Sequence, residues 1–199
     1  MILKIQHTSL LEAGTDEAGR GSLAGPVTAA AVILPIDIKI PLLNDSKKLT
    51  EKQRYQLRPL IEKSAIAYGI AHVFQEEIDK INILRASIKA MHLAIKKLNK
   101  EPQHIVVDGN KFYSFKNIPH TCFIKGDGKF QNIAAASILA KTYRDDYMKK
   151  ISLDFPEYQW GKNKGYPTIN HRNAIKKNGV TSHHRISFQL LPNQFKLNL

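Results

Sequence analysis

Cysteine is nearly absent from this chain: Cys122 is the only one among 199 residues. A single thiol forms no internal disulfide and supplies no cysteine zinc site, which fits a reducing compartment. Nothing beside it marks it as a nucleophile. Long apolar runs are also missing. Stretches such as Ala29–Leu34 fall far short of the roughly 20 residues that a membrane span needs, so no membrane association is expected. The first residues, Met1 to His7, lack the basic-then-apolar order and the small-residue cleavage site of a secretory signal, and the expected location is the cytoplasm. Glycine-, serine- or proline-rich tracts, internal repeats and a clear linker are absent too, which argues against disorder beyond the ends. Acids run out early, with none after Glu157.

Basic residues are in surplus. Lys and Arg number 30 against 17 Asp and Glu, a formal charge of +13, and such an excess favours a polyanionic partner, nucleic acid first. From Lys141 onward eleven basic residues face four acidic ones. A surface that is basic only for solubility is the plain alternative. With 43% apolar and 24% charged residues, the composition is that of an ordinary globular protein. The expectation is a monomer with one domain over 1–199, in which roughly 150–199 forms a small, basic, helical C-terminal appendage.

Ser9–Thr15 and Pro26–Leu34 read as two strands of a hairpin around a glycine-rich turn. Thr50 with Gln53 forms a capping-box pattern, and Leu57, Leu60 and Ile61 continue it as a helix to about Lys63. Ala65–Phe74 reads as a third strand. Glu76–Leu98 carries apolar residues at helical spacing, as one long helix or two abutting ones. His104–Val107 and Thr121–Ile124 are short strands leading to Asp108 and to Lys125-Gly126-Asp127; Asn132–Lys150 and Thr168–Lys177 are helices. The order predicts an α/β layer structure, a mixed sheet with helices packed on it.

Asp16 and Glu17 follow the first strand, Asp108 the fourth and Asp127 the fifth. Carboxylates gathered at one sheet edge raise each other's pKa unless a cation neutralises them, so the pattern points to divalent metal, and oxygen-only ligands select Mg²⁺ or Mn²⁺ over Zn²⁺. Neighbours in a regular strand face opposite ways, so Asp16 and Glu17 are expected to share a site through a bend between them, with Gly19 and Gly21 allowing it. Each acid taken alone reads first as a solvated turn residue, and spacing alone does not overturn that. His183-His184-Arg185 is not a metal pair, because adjacent histidines diverge; His184 and Arg185 are expected to pack or to touch phosphate. Asp145, four residues after Lys141, is open between a helix-surface ion pair and a group behind the site. The glycines from Gly19 to Gly25 do not form a dinucleotide-binding loop, since their spacing is wrong and a strand follows.

The segment Asp16-Glu17-Ala18-Gly19-Arg20-Gly21, continuing to Gly25-Pro26-Val27, resembles the signature of the ribonuclease HII family. Asn44 to Leu49, Val107-Asp108-Gly109, Lys125-Gly126-Asp127 with Ala134 to Lys141, Asn163 to Thr168, and His184-Arg185 with Ser187-Phe188 extend the likeness in the family's order over nearly the whole chain. The resemblance implies a ribonuclease H-like fold and hydrolysis of the RNA strand of RNA–DNA hybrids, including 5′ of single ribonucleotides embedded in duplex DNA. It implies Asp16, Glu17, Asp108 and Asp127 as ligands of two catalytic Mg²⁺ or Mn²⁺ ions, with 5′-phosphate and 3′-hydroxyl products. Gly19, Arg20 and Gly21 match the segment that reads the ribose 2′-hydroxyl, and Tyr166 matches the tyrosine that supports that reading. Lys47, Lys48 and the basic C-terminal segment are read as phosphate contacts. The ribonuclease HIII family fits less well, because its signature lacks the Gly-Arg-Gly triplet and it carries an extra N-terminal domain. Two other classes remain in view: a hybrid-binding module of the same fold without turnover, and a small metallophosphatase, which leaves the basic C-terminal stretch unexplained. The sequence leaves open whether a clamp-type protein binds the C-terminal tail.

Overall fold

The computed structural model describes residues 3–38 and 40–192. Five strands, β1 (Glu12–Ala18), β2 (Val27–Ile33), β3 (Ala67–Val73), β4 (His104–Asp108) and β5 (His120–Phe123), make one sheet in the order β3-β2-β1-β4-β5. β1 pairs antiparallel with β2, and β2 with β3, while β4 runs parallel to both β1 and β5. This is the expected mixed sheet. Around it lie α1 (Glu51–Ser64), α2 (Gln75–Lys96), α3 (Gln131–Ile151), α4 (Trp160–Asn163) and α5 (Ile169–Asn178).

Every residue of β2 is buried, because helices cover both faces of the sheet. Val27, Ala29 and Ala31 meet Ile78, Met91 and Ile95 of α2. Ala30 and Val32 meet Leu57 and Ile61 of α1 and Ile138 and Leu139 of α3. Small residues let α3 come down onto the sheet. At Gly14 a Cβ would stand 2.3 Å from the carbonyl carbon of Asn132, so α3 rests directly on β1. The Asn132 amide ties this contact down, accepting from Leu34 N at 3.0 Å and donating to Glu12 O at 3.3 Å. Glu12, an acid buried in the same strand, is turned away from the sheet end that carries the other acids and accepts from the amides of His7 and Thr8.

The Thr50–Gln53 capping box is present at the start of α1. The α2 span resolves into two abutting helices: Asn82 has φ 64° and ψ 164°, and its side chain accepts from the amides of Leu84 and Arg85, which starts the second helix. Strand boundaries shift from the sequence reading. β1 begins and ends later than Ser9–Thr15, so Asp16 and Glu17 lie inside it, and the residues from Ser9 serve as the loop that Glu12 anchors. β5 ends at Phe123, which leaves Asp127 in a single 3-10 turn, Gly126–Gly128.

Beyond α3, the turn at Pro156–Tyr158, α4, α5 and the loops up to residue 192 build a cluster around Trp160 that receives Leu23 and Ala24 from the β1–β2 connection. Asp79 of α2 accepts from the amides of Ile186 and Ser187, fastening this loop to α2. Among the described residues no helix is long and apolar enough to cross a membrane. From residue 193 the tail considered for a clamp-type partner lies outside the described residues.

Candidate active site

The expected bend between Asp16 and Glu17 is absent; both belong to β1, opposite Ala30 and Ala29 of β2. They reach one site because they straddle the sheet near the C-terminal end of its central strand. Asp16 points to the α3 side, where the Ser137 hydroxyl bonds it. Glu17 points to the α2 side, into a cleft of about 200 Å³ that it shares with Ser87 and Met91 of α2 and with Asp108. Asp108 ends the neighbouring parallel strand, and its Oδ1 accepts from Gly126 N at 2.6 Å. That bond draws the Gly126–Gly128 turn, and with it Asp127, beside the strand ends.

A second cleft of about 310 Å³ on the α3 side is lined by Asp16, Glu17, Gly19, Arg20, Gly21, Lys47, Asp108 and Tyr166. Asp127 adjoins it, with its Oδ2 3.5 Å from Lys47 Nζ. All the residues singled out from sequence as carboxylate or ribose-contacting candidates therefore gather at one end of the sheet. Lys48 does not join them; its side chain is exposed and only its amide is engaged, to Asp45 O.

Electrostatics set these acids apart. Burial, then Glu17 and Asp108, holds the Asp16 carboxyl well above the usual range. Burial also raises Glu17, with Arg20 at 3.2 Å opposing and Asp108 adding to the rise. Asp127 is raised by burial and by Asp108, against the pull of Lys47. For Lys47, burial acts downward, but the surrounding carboxylates outweigh it and raise the ammonium. Glu17 Oε2 and Asp127 Oδ1 are buried without a hydrogen-bond partner. Among the described residues no three carboxylates, histidines or cysteines already close into a ligand shell. Their orphaned, mutually repelling oxygens fit a hard divalent ion.

Two different constraints act on the Gly-Arg-Gly turn. At Gly19, φ is +91° and a Cβ would stand 2.0 Å from Arg144 Nε, whereas Gly21 has nothing within 4 Å of that position. Tyr166 is half-buried, and the Arg144 guanidinium lies 5.5 Å from its ring centre.

Residues 13–191 match the family described as Ribonuclease HII. The chain belongs to the ribonuclease HII family. A ribonuclease HII of Christiangramia forsetii is 62% identical over 197 residues, covering 99% of this chain and all of that one. A PCNA complex of ribonuclease HII from Archaeoglobus fulgidus shares the fold, with a TM-score of 0.75 at 22% identity over 96% of this chain and 98% of that one. Bst ribonuclease HIII, solved with Mn²⁺, gives a TM-score of 0.66 at 18% identity over 92% of this chain but only 68% of its own. As a member of the ribonuclease HII family the chain is a hydrolytic endonuclease acting on the RNA strand of RNA–DNA hybrids.

Around this ribonuclease HII site, Ser46, Ser137, Lys141 and Arg144 were not singled out from sequence as site residues. Ser46 and Ser137 bond each other at 2.9 Å beneath Asp16 and line the cleft with Lys141. All three sit inside family-like strings, the only signal that could have marked them. Arg144 and Arg185 are 1% and 0% exposed, and burial lowers both, Arg185 to about 9. Arg185 and His184 thus pack; neither is placed to touch phosphate. Asp145 does pair with Lys141, whose Nζ stands 3.8 Å away, but the pair is not on the surface: Asp145 is 2% exposed and burial raises its carboxyl.

Proposed function

We propose that this enzyme cuts on the 5′ side of single ribonucleotides embedded in duplex DNA, as well as within longer RNA tracts, leaving 5′-phosphate and 3′-hydroxyl ends. Asp16, Glu17, Asp108 and Asp127 hold two Mg²⁺ or Mn²⁺ ions. The observation that carries this reading is the convergence of four acids from β1, β4 and the Gly126–Gly128 turn, with Asp16 driven upward and two buried oxygens unpartnered. When bound, the ions supply an activated water and neutralise charge on the departing oxygen. Oxygen-only donors favour these metals, and Mn²⁺ is the ion solved with the ribonuclease HIII neighbour.

The chain's own groups do the rest. Backbone groups of the Gly19-Arg20-Gly21 turn, the Gly21 amide among them, bond the 2′-hydroxyl that DNA lacks, and the Tyr166 ring lies against the sugar across the same cleft. Lys47, bridging toward Asp127, holds a phosphate beside the reacting bond. The formal charge of +13 carries the duplex to this surface. The enzyme acts as a cytoplasmic monomer, one domain with a basic C-terminal extension, and the Archaeoglobus fulgidus complex makes a sliding clamp the first protein partner to test.

Gel-resolved cleavage of a DNA duplex with one internal ribonucleotide, beside an all-DNA control, tests this. A cut 5′ of the ribonucleotide in Mg²⁺ or Mn²⁺, none with chelator and none in the control is expected. Tight binding without a cut in any metal would leave a non-catalytic hybrid-binding module.

A further inference from the structure

Arg144 and Arg185 are buried and, among the described residues, neither makes a direct ion pair with a carboxylate. Apolar side chains would fill the same space without the cost of desolvating two cations. What only guanidinium groups can do there is gather main-chain carbonyls. Arg144 donates to Pro26 O at 2.9 Å, to Lys164 O at 2.9 Å and to Ala24 O at 3.2 Å. Arg185 donates to Gly25 O at 3.0 Å and to Arg20 O at 2.9 Å. These carbonyls belong to the two segments that border the cleft on its ribose side.

The consequence for the Gly-Arg-Gly turn follows from peptide planarity. In a trans peptide the carbonyl and the next amide point in opposite directions. With the Arg20 carbonyl held inward by Arg185, the Gly21 N–H is turned away from the interior. That amide donates to no acceptor among the described residues, and the space over Gly21 is open. Arg144 does the same service between segments: it bonds Ala24 and Lys164 together and places its guanidinium 5.5 Å from the centre of the Tyr166 ring. Leu23 N donating to Gly165 O at 2.8 Å closes the same seam.

We propose that Arg144 and Arg185 are positioning residues for ribose recognition, Arg185 aiming the Gly21 amide into the cleft and Arg144 fixing the turn and Tyr166 relative to each other. Neither touches substrate. The proposal rests on the ribose-reading role given above to Gly19–Gly21 and Tyr166, and the test separates the two.

The experiment measures dissociation constants for a duplex with one embedded ribonucleotide and for the same all-DNA duplex, in chelator so that neither is cut. The full chain is compared with Arg185→Lys and Arg144→Lys, each checked for a cooperative thermal transition; lysine keeps the cation but loses the forked donor. In the unaltered protein the ribonucleotide duplex binds more tightly. In Arg185→Lys that preference falls by about tenfold, the worth of one or two backbone hydrogen bonds, while all-DNA affinity stays within about twofold because phosphate contacts carry it. Arg144→Lys moves the preference the same way. A merely structural role would weaken both duplexes together and leave the ratio intact. An intact ratio in folded variants, or loss of the cooperative transition in both, overturns the proposal while leaving ribose reading standing. No preference in the unaltered protein overturns the ribose reading itself, and this proposal with it.

Discussion

Lowering the pH from 7 to 5 should weaken the fold through a pair of buried histidines in the C-terminal cluster. His171 and His184 are 0% and 2% exposed, with their Nε2 atoms 3.3 Å apart. His171 Nδ1 lies 3.0 Å from Tyr166 O, and its Nε2 accepts from Trp160 Nε1 at 2.9 Å. His184 Nδ1 accepts from Thr181 N at 2.9 Å. One assignment satisfies every contact: His171 carries its proton on Nδ1 and His184 on Nε2, both rings neutral. A second proton on either ring would meet a donor head-on. Burial, then His171, accordingly pushes His184 down to about 4 from 6.5. Between those values the unfolded chain binds the extra proton and the folded one does not. This contribution to stability is therefore complete above about pH 6.5 and is lost progressively as the pH falls toward about 4. At about 1.36 kcal/mol per unit the full window is worth about 3 kcal/mol, and the step from pH 7 to 5 about 2 kcal/mol. For a chain of this size that lowers Tm by about 4–8 °C. Scanning calorimetry at pH 7, 6 and 5 on the protein and on His184→Gln, which keeps a donor toward His171 but does not titrate, measures it. The variant should lose less than half as much Tm over this range. Equal losses in the two proteins would refute the proton assignment.

Gly14→Ala forces α3 off β1, because its Cβ would stand 2.3 Å from Asn132 backbone; overpacking of this kind costs about 3 kcal/mol, read as a Tm lower by about 6–12 °C, and an unchanged Tm would show that the helix shifts freely. Lys47→Ala removes one phosphate contact from the roughly six expected, so the log–log salt slope of duplex binding, about −5, becomes shallower by about 1. An unchanged slope would place Lys47 away from the nucleic acid.

Much of the site was legible because its residues lie in contiguous strings: Asp16 to Gly21 is one unbroken segment running from β1 into the following turn, and Asp108 and Asp127 each follow a β-branched or apolar run. The mixed sheet was legible from the strand–helix order. The way Asp16 and Glu17 share a site was not, since it depends on Asp108 standing at the end of a strand whose residues pair with β1 partners 92 positions earlier in the chain, a register no local pattern encodes. Arg185 stayed open between packing and touching phosphate, and Arg144 went unmarked, for a related reason: an arginine in a basic stretch shows no preference by itself, and its burial depends on Leu23 and Ala24, far earlier in the chain, docking into the Trp160 cluster. Asp145 was left open because its spacing from Lys141 shows the pair but not its depth, and α3 is buried on nearly all sides.

The central claim is that the carboxylate cluster, and not the basic surface, performs the cleavage. Asp16→Asn tests it most directly, measured as the cleavage rate of a single-ribonucleotide duplex in Mn²⁺ beside duplex affinity in chelator. A rate at least about a thousandfold lower is expected, with affinity within a few-fold of the unaltered protein; a rate near the unaltered value would put the reacting site elsewhere.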